Sequence, residues 1–283
     1  LKNSKPSFDQ FYTKPEVAEH CVKQLQKYSP FENYKYIIEP SAGTGSIYSL
    51  LPEGKRIGLD IEPKFPSIKL ADFFQWIPPT DSTKENTLIV GNPPFGAQSK
   101  LARQFFQKSS FIANTIAFII PITWNNWSIQ KQLPREYALI HSEPLPFKSF
   151  FTEDHGEYGV RCLFQVWTSD KTHKQNLRIL TAPITATPDF EFLTRGHTPD
   201  FYFVVCGSRQ KLVLDPPISL SQATVERIAI RNPSAPVREF FESTDWSKYY
   251  KGNTGTMWIN RESIIKEYEI FKTQITEMRT SEL

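Results

Sequence analysis

The sequence predicts a doubly wound, mainly parallel α/β sheet of seven strands, followed by a β-rich carboxy-terminal extension. Three observations predict it. Short apolar runs alternate with helical patterns through the first part of the chain, as parallel strands joined by crossover helices require. The residues able to do chemistry fall just after those runs, at the carboxyl ends where open sheets of this kind hold ligands. From Lys171 onward the pattern changes to short strands and Pro-rich joints, which divides the chain into a first domain over 1–170 and an extension over 171–283.

The elements follow in order. Lys2 to Ser7 is polar and loose, and Asp9 to Lys14 forms a strap before a helix in which Val17, Ala18, Cys21, Val22 and Leu25 repeat at helical spacing. Thr13 is the expected N-cap and Pro15 a first-turn proline. Tyr36-Ile37-Ile38 is a buried strand, and Glu39-Pro40-Ser41-Ala42-Gly43-Thr44-Gly45 is a glycine turn leading into a short apolar helix through Ile47, Leu50 and Leu51. Strand, glycine turn and helix make half of a nucleotide-binding crevice.

A second strand, Arg56 to Asp60, ends in an acid 17 residues after Gly43, near the distance at which a carboxylate reaches ribose hydroxyls. Ser46-Ile47-Tyr48 stands where a dinucleotide site has its third glycine, which disfavours NAD and FAD and leaves a nucleoside ligand without phosphates. Ile68 to Phe74 is a third strand; Asp72 can accept from an amine while Phe73 packs beside a ring.

Leu88-Ile89-Val90-Gly91 is a strand that stops at Asn92-Pro93-Pro94-Phe95. Proline fixes φ and cannot extend a ladder, so this turn points in one direction. It presents an Asn side chain, carbonyls and an aromatic face, a set that grips a planar group bearing an amine. An amphipathic helix over Ser99 to Ser110, a strand over Thr115 to Pro121, and strands Ala138–His141 and Val160–Trp167 complete the sheet. Phe147 to Gly156 is too aromatic for an ordinary exposed loop; Phe150 or Phe151 either covers a bound ring or caps the core.

Composition narrows little. A formal charge of +3 and a pI near 8.6 are compatible with a polyanionic partner without demanding one. Aromatic content of 14% fills a core and leaves rings for stacking. Cys21, Cys162 and Cys206 form no C-x-x-C pair, and the five histidines are scattered, so no metal is expected and reduced, intracellular, soluble protein is. The longest apolar run, Ile116 to Ile122, is too short to span a bilayer. The opening residue, Leu1, predicts further sequence before it.

Taken together, the motifs resemble those of the class I S-adenosylmethionine-dependent methyltransferases, specifically the enzymes that methylate the exocyclic N6 of adenine in DNA. Phe11-Tyr12-Thr13, Glu39 to Gly45, Asp60, Asp72-Phe73 and Asn92 to Phe95 run in that family's order. The likeness extends from Asp9 to Trp167, with Phe164 to Trp167 similar to the late strand of phage and large-virus members. It implies a Rossmann-like fold, S-adenosylmethionine as cofactor and nucleic acid as partner, DNA favoured and RNA possible. By resemblance, Phe11, Tyr12, Thr13, Glu39, Ser41, Gly43, Gly45, Asp72 and Phe73 hold the cofactor, Asp60 with Ile61 takes the ribose end, and Asn92 adjoins both ligands. Asn92, Pro93, Pro94 and Phe95 are the implied catalytic turn. Nothing corresponds to the target-recognition domain of restriction-system enzymes.

An adenine amine is a weak nucleophile because its lone pair is delocalised. Acceptors at the Asn92 side chain and the Pro93 carbonyl would localise that pair for in-line attack, with Phe95 stacking on an extruded base. No cysteine occupies the turn, which separates this chemistry from cytosine carbon methylation. The competing readings are adenine methylation in RNA, methylation of a protein glutamine amide, which uses a similar turn usually ending in Tyr, and a non-catalytic nucleic-acid-binding subunit. In the extension, expected strands are Leu177–Leu180, Phe190–Leu193, Phe201–Val205, Leu212–Leu214 and Val225–Ile230, with a helix over Ser263–Phe271. Residues 171–283 carry 15 Lys/Arg against 13 Asp/Glu, so this part is no basic arm. Its candidate phosphate contacts are Arg195-Gly196-His197, Ser208 to Lys211 and Lys248 to Asn253.

Overall fold

A computed structural model describes residues 11–152, 156–205, 212–214, 225–246 and 259–281. The chain divides into two compact units, Leu1–Ala182 and Pro183–Leu283.

In the first unit the elements are β1 (Tyr12–Thr13), α1 (Pro15–Tyr28), β2 (Tyr36–Glu39), β3 (Arg56–Asp60), β4 (Lys69–Leu70), β5 (Thr87–Gly91), α2 (Lys100–Ser110) and β6 (Thr115–Pro121). After them come α3 (Trp127–Gln130), β7 (Ala138–Pro144), β8 (Phe150–Phe151), β9 (Glu157–Tyr158) and β10 (Cys162–Thr168). The main sheet has seven strands in the order β4-β3-β2-β5-β6-β10-β7. β4 through β6 are parallel, and β10 runs antiparallel to both neighbours. This is a Rossmann-like doubly wound sheet. The strand order reverses between β2 and β5, so the crevice that takes ligands in such sheets opens at the ends of those two strands, beside Glu39 and Asn92.

β5 is buried along its whole length because helices cover both faces of a central parallel strand. Alternate residues face opposite ways. Ile37, Leu88 and Val90 pack with Val17, Ala18, Cys21, Val22 and Leu25 of α1, while Ile38, Ile89 and Ile116 pack with Phe105 and Phe106 of α2. Each fully buried aliphatic side chain stabilises by about 1.5–3 kcal/mol, which fixes the strand ends that carry the site. Burial also pushes the Cys21 and Cys162 thiols up, leaving them inert core residues.

Four expectations are corrected. Thr13 is not the cap of α1: the N-cap is Lys14, and Thr13 is a buried strand residue paired with Phe150. The helix expected through Leu51 is one 3-10 turn, Tyr48–Leu50, because Pro52 holds Leu51 extended. The third strand shrinks to Lys69–Leu70, and Asp72 begins a turn whose carbonyl accepts from the Gln75 and Trp76 N–H groups. Leu177–Leu180 forms no strand. Its groups bond singly instead: Leu177 N–H to Leu139 O, Ile179 N–H to Gln130 Oε1, and the buried Arg178 guanidinium to four carbonyls of residues 130, 133, 134 and 137.

The second unit holds a four-stranded antiparallel sheet, order β11-β14-β12-β13, of β11 (Phe190–Phe192), β12 (Phe201–Val204), β13 (Leu212–Val213) and β14 (Val225–Ile230). Helices α4 (Val237–Ser243) and α5 (Arg261–Ser281) share a core with it built of Phe190, Phe201, Phe203, Phe240, Phe241, Trp246 and Tyr268. Much of the aromatic excess is therefore packing. Asp189, 3% exposed, is satisfied by Asn232 Nδ2, Tyr268 Oη and Lys272 Nζ at 2.7–2.9 Å. Cys206, Ser208 to Lys211 and Lys248 to Asn253 lie outside the described residues, as do Asp9 and Glu153 to His155. Among the described residues, no helix is long and apolar enough to cross a membrane.

Candidate active site

Asn92 follows the last residue of β5, and its surroundings orient it fully. Its Nδ2 donates to the Phe11 carbonyl at 3.0 Å, and its own backbone carbonyl accepts from Ser41 Oγ at 3.2 Å. A carbonyl can only accept, so the Phe11 bond fixes which way the amide faces. Asn92 Oδ1 is consequently turned away from the strap. It is buried and has no hydrogen-bond partner among the described residues, a costly state for an acceptor that nothing fills.

The strap is held in place by a small sheet. β1 pairs with β8 through Tyr12 with Phe151 and Thr13 with Phe150, and β8 pairs with β9. The Phe11 ring stacks on Tyr158, centroids 4.1 Å apart, and Lys14 pairs with Glu157 at 2.6 Å. Lys14 and Lys148 together hold the Glu157 carboxyl down at about 2.

Opposite the strap is the glycine turn. Gly43 has φ +47, and a Cβ there would lie 3.0 Å from the Tyr12 ring; Gly45 has φ +79 and a Cβ there would lie 2.7 Å from Phe65. Both positions need glycine for conformation and for close approach. Asp60 at the end of β3 ties this turn down, accepting from the Gly43 N–H at 2.7 Å and from the Glu62 N–H at 2.8 Å.

Between strap, turn and strand ends lies a cavity of about 440 Å³. Phe11, Tyr12, Ser41, Gly43, Asp60, Ile61, Asp72, Phe73, Asn92 and Pro94 all reach its wall. Asp72 Oδ1 accepts from the Phe74 N–H at 2.9 Å. A second recess of about 30 Å³ adjoins the strap and contains Thr13 and Glu39. Glu39 is 3% exposed, and its Oε2 has no partner among the described residues. Burial first, then the neighbouring Asp60 charge, hold its carboxyl well above the ordinary range, opposed by the Tyr48 backbone N–H.

The remaining expected residues are elsewhere. Phe95 is 9% exposed and packs in the core under α1, and Pro93 is buried and does not line the cavity. Phe150 is wholly buried in the same core, and Phe151 lies against Tyr12, centroids 5.6 Å apart, so both serve the strap. Sequence reasoning missed Phe74, Leu101 and Phe105, which complete the apolar wall. The four-residue spacing of Leu101 and Phe105 puts them on one helix face, which was the available signal.

No family model and no curated protein matches the sequence. Solved structures resemble the chain at low identity. A candidate RNA methyltransferase of Pyrococcus horikoshii is 17% identical, with 59% of this chain and 90% of that one covered and a TM-score of 0.43. The methyltransferase subunit of a type I restriction-modification system of Streptococcus thermophilus is also 17% identical, covering 59% and 46% at a TM-score of 0.45. A candidate class I S-adenosylmethionine-dependent methyltransferase of Listeria monocytogenes is 12% identical, covering 63% and 67% at 0.46. These are likenesses of architecture, and the chemistry is read from the site.

Proposed function

We propose that the chain transfers a methyl group from S-adenosylmethionine to the exocyclic N6 amine of adenine in DNA. The observation that carries this reading is Asn92 Oδ1, a buried, oriented acceptor with no partner among the described residues, on a residue that lines a cavity next to a glycine turn. The chain's own residues fit the cofactor. The Gly43 backbone leaves space that a Cβ would fill, Asp60 and Asp72 offer acceptors to hydroxyl and amine groups, and Phe74, Leu101 and Phe105 give a planar ring an apolar wall. When bound, the cofactor supplies an activated methyl group on a sulfonium.

Asn92 Oδ1 accepts an N–H of the substrate amine. Holding that hydrogen would localise the nitrogen lone pair for in-line attack on the methyl carbon; a preorganised acceptor of this kind lowers the barrier by about 2.7–4 kcal/mol. Asn92 Nδ2, fixed on the Phe11 carbonyl, keeps the amide from rotating during transfer. The extra amine proton leaves to solvent after transfer, and no covalent enzyme intermediate is needed. Phe95 supports the turn from the core side rather than from solvent.

The test is incubation with methyl-labelled cofactor and matched single- and double-stranded DNA and RNA, followed by digestion to nucleosides. Label in N6-methyldeoxyadenosine is expected. Label in adenosine would move the substrate to RNA, and label in neither would refute the nucleic-acid assignment.

A further inference from the structure

A second oriented amide stands at the end of the neighbouring strand. The 3-10 turn Ile122–Asn125 follows β6, next in the sheet to β5, and Thr123 Oγ1 lies 3.4 Å from Ser99 Oγ, just beyond the Asn92–Phe95 turn. Asn125, exposed on this turn, is served by an unusual buried chain. Trp167 and Gln165 on β10 are both fully buried, although Gln165 sits in the middle of a strand packed on apolar neighbours. Burying an amide there is costly unless every group is bonded.

The bonds run in one direction. The Trp167 indole is a donor only, and its Nε1 donates to Gln165 Oε1 at 3.0 Å. That sets the Gln165 amide with Nε2 outward, where it donates to Asn125 Oδ1 at 3.0 Å and to Ser142 Oγ at 3.1 Å. Ser142 Oγ also reaches Asn125 Oδ1 at 3.4 Å. Asn125 Oδ1 is thereby held inward, and its Nδ2, with two N–H donors, is directed outward with no protein acceptor among the described residues. A solvated surface Asn needs no such apparatus. Six residues after Asn125, Lys131 lies over the Trp127 ring at 4.1 Å.

We infer that Asn125 is a substrate-reading residue, donating from Nδ2 to a hydrogen-bond acceptor of the polynucleotide, a phosphate oxygen or a base edge beside the target adenine, and that Gln165 and Trp167 are positioning residues that set its polarity. The inference rests on the nucleic-acid reading above.

The test is fluorescence anisotropy of the full chain with a labelled, adenine-containing single-stranded oligodeoxynucleotide, alongside calorimetry with S-adenosylmethionine. Asn125→Ala is expected to weaken oligonucleotide binding about tenfold with cofactor affinity unchanged. Gln165→Leu is expected to weaken it in the wild-type background and to add nothing in the Asn125→Ala background, a coupling that simple loss of stability would not produce. Methylphosphonates flanking the adenine sort the two acceptors: disappearance of the Asn125 effect assigns a phosphate, persistence a base edge. Equal oligonucleotide affinity of wild type and Asn125→Ala, or additive effects of the two substitutions, would overturn the inference and leave the function reading standing. A wild-type chain that binds cofactor but no oligonucleotide would overturn both.

Discussion

Replacing Glu39 by glutamine isolates the buried acid of the site at constant shape. In the folded chain the Glu39 carboxyl is raised well above its ordinary value, chiefly by burial and secondly by Asp60. A raised folded value means that its contribution is fully present below the unfolded pKa, near 4.5, and is lost as pH rises through the folded pKa. Within that window the unfolded chain has released a proton that the folded chain keeps, so wild-type stability falls by about 1.4 kcal/mol per pH unit relative to a variant that cannot titrate. The amide of Glu39→Gln reproduces the neutral acid and removes the slope. Native-state hydrogen exchange at the β5 and β6 amides, corrected for intrinsic rates, measures the difference at pH 5, 6 and 7. The variant should gain on wild type as pH rises above the unfolded value, by up to about 1.4 kcal/mol per unit. Other titrating groups are common to both proteins and cancel. Parallel stability curves would refute the claim that burial holds the Glu39 carboxyl above its ordinary range.

Other perturbations follow from the same contacts. Gly43→Ala adds a Cβ 3.0 Å from the Tyr12 ring at φ +47; it should weaken cofactor binding at least tenfold by calorimetry while costing only about 1–2 kcal/mol of stability. Arg178→Met removes four donors that hold carbonyls at 2.6–2.9 Å and should destabilise the first unit by about 2–4 kcal/mol in the same exchange experiment. Asp189→Ala strands the partners Tyr268 and Lys272 and should cost the second unit about 2–4 kcal/mol, read from the amides of β12 and β14.

The sequence made some layers legible and hid others for physical reasons. Periodicity located Thr115–Pro121 to the residue and the helix before it to within one position, because long runs buried in a packed sheet leave a strong pattern. The residues Phe11, Tyr12, Gly43, Asp60, Asp72 and Asn92, spread over some eighty positions, do meet at one cavity. What a motif cannot give is the direction in which an aromatic ring turns. Phe95 reads in sequence as a ring that stacks on a base, and Phe150 as either a cover for a bound ring or a cap on the core; both are core residues, Phe150 on the β8 strand that holds the strap. Leu177–Leu180 reads as a strand by composition, but Arg178 diverts it into a clasp whose partners lie more than forty residues away. The Asn125 network was equally invisible, since its meaning lies in which atoms donate.

The central claim is that the Asn92 amide, locked by the Phe11 carbonyl, holds the amine of an adenine for methyl transfer. Its most direct test is the rate at which methyl-labelled cofactor labels deoxyadenosine N6 in DNA, wild type against Asn92→Ala. Removing one preorganised acceptor should lower kcat by about 10²–10³-fold, with cofactor affinity changed only a few-fold by loss of the strap bond. Near-wild-type turnover by Asn92→Ala, or label on any group other than the adenine amine, would contradict it.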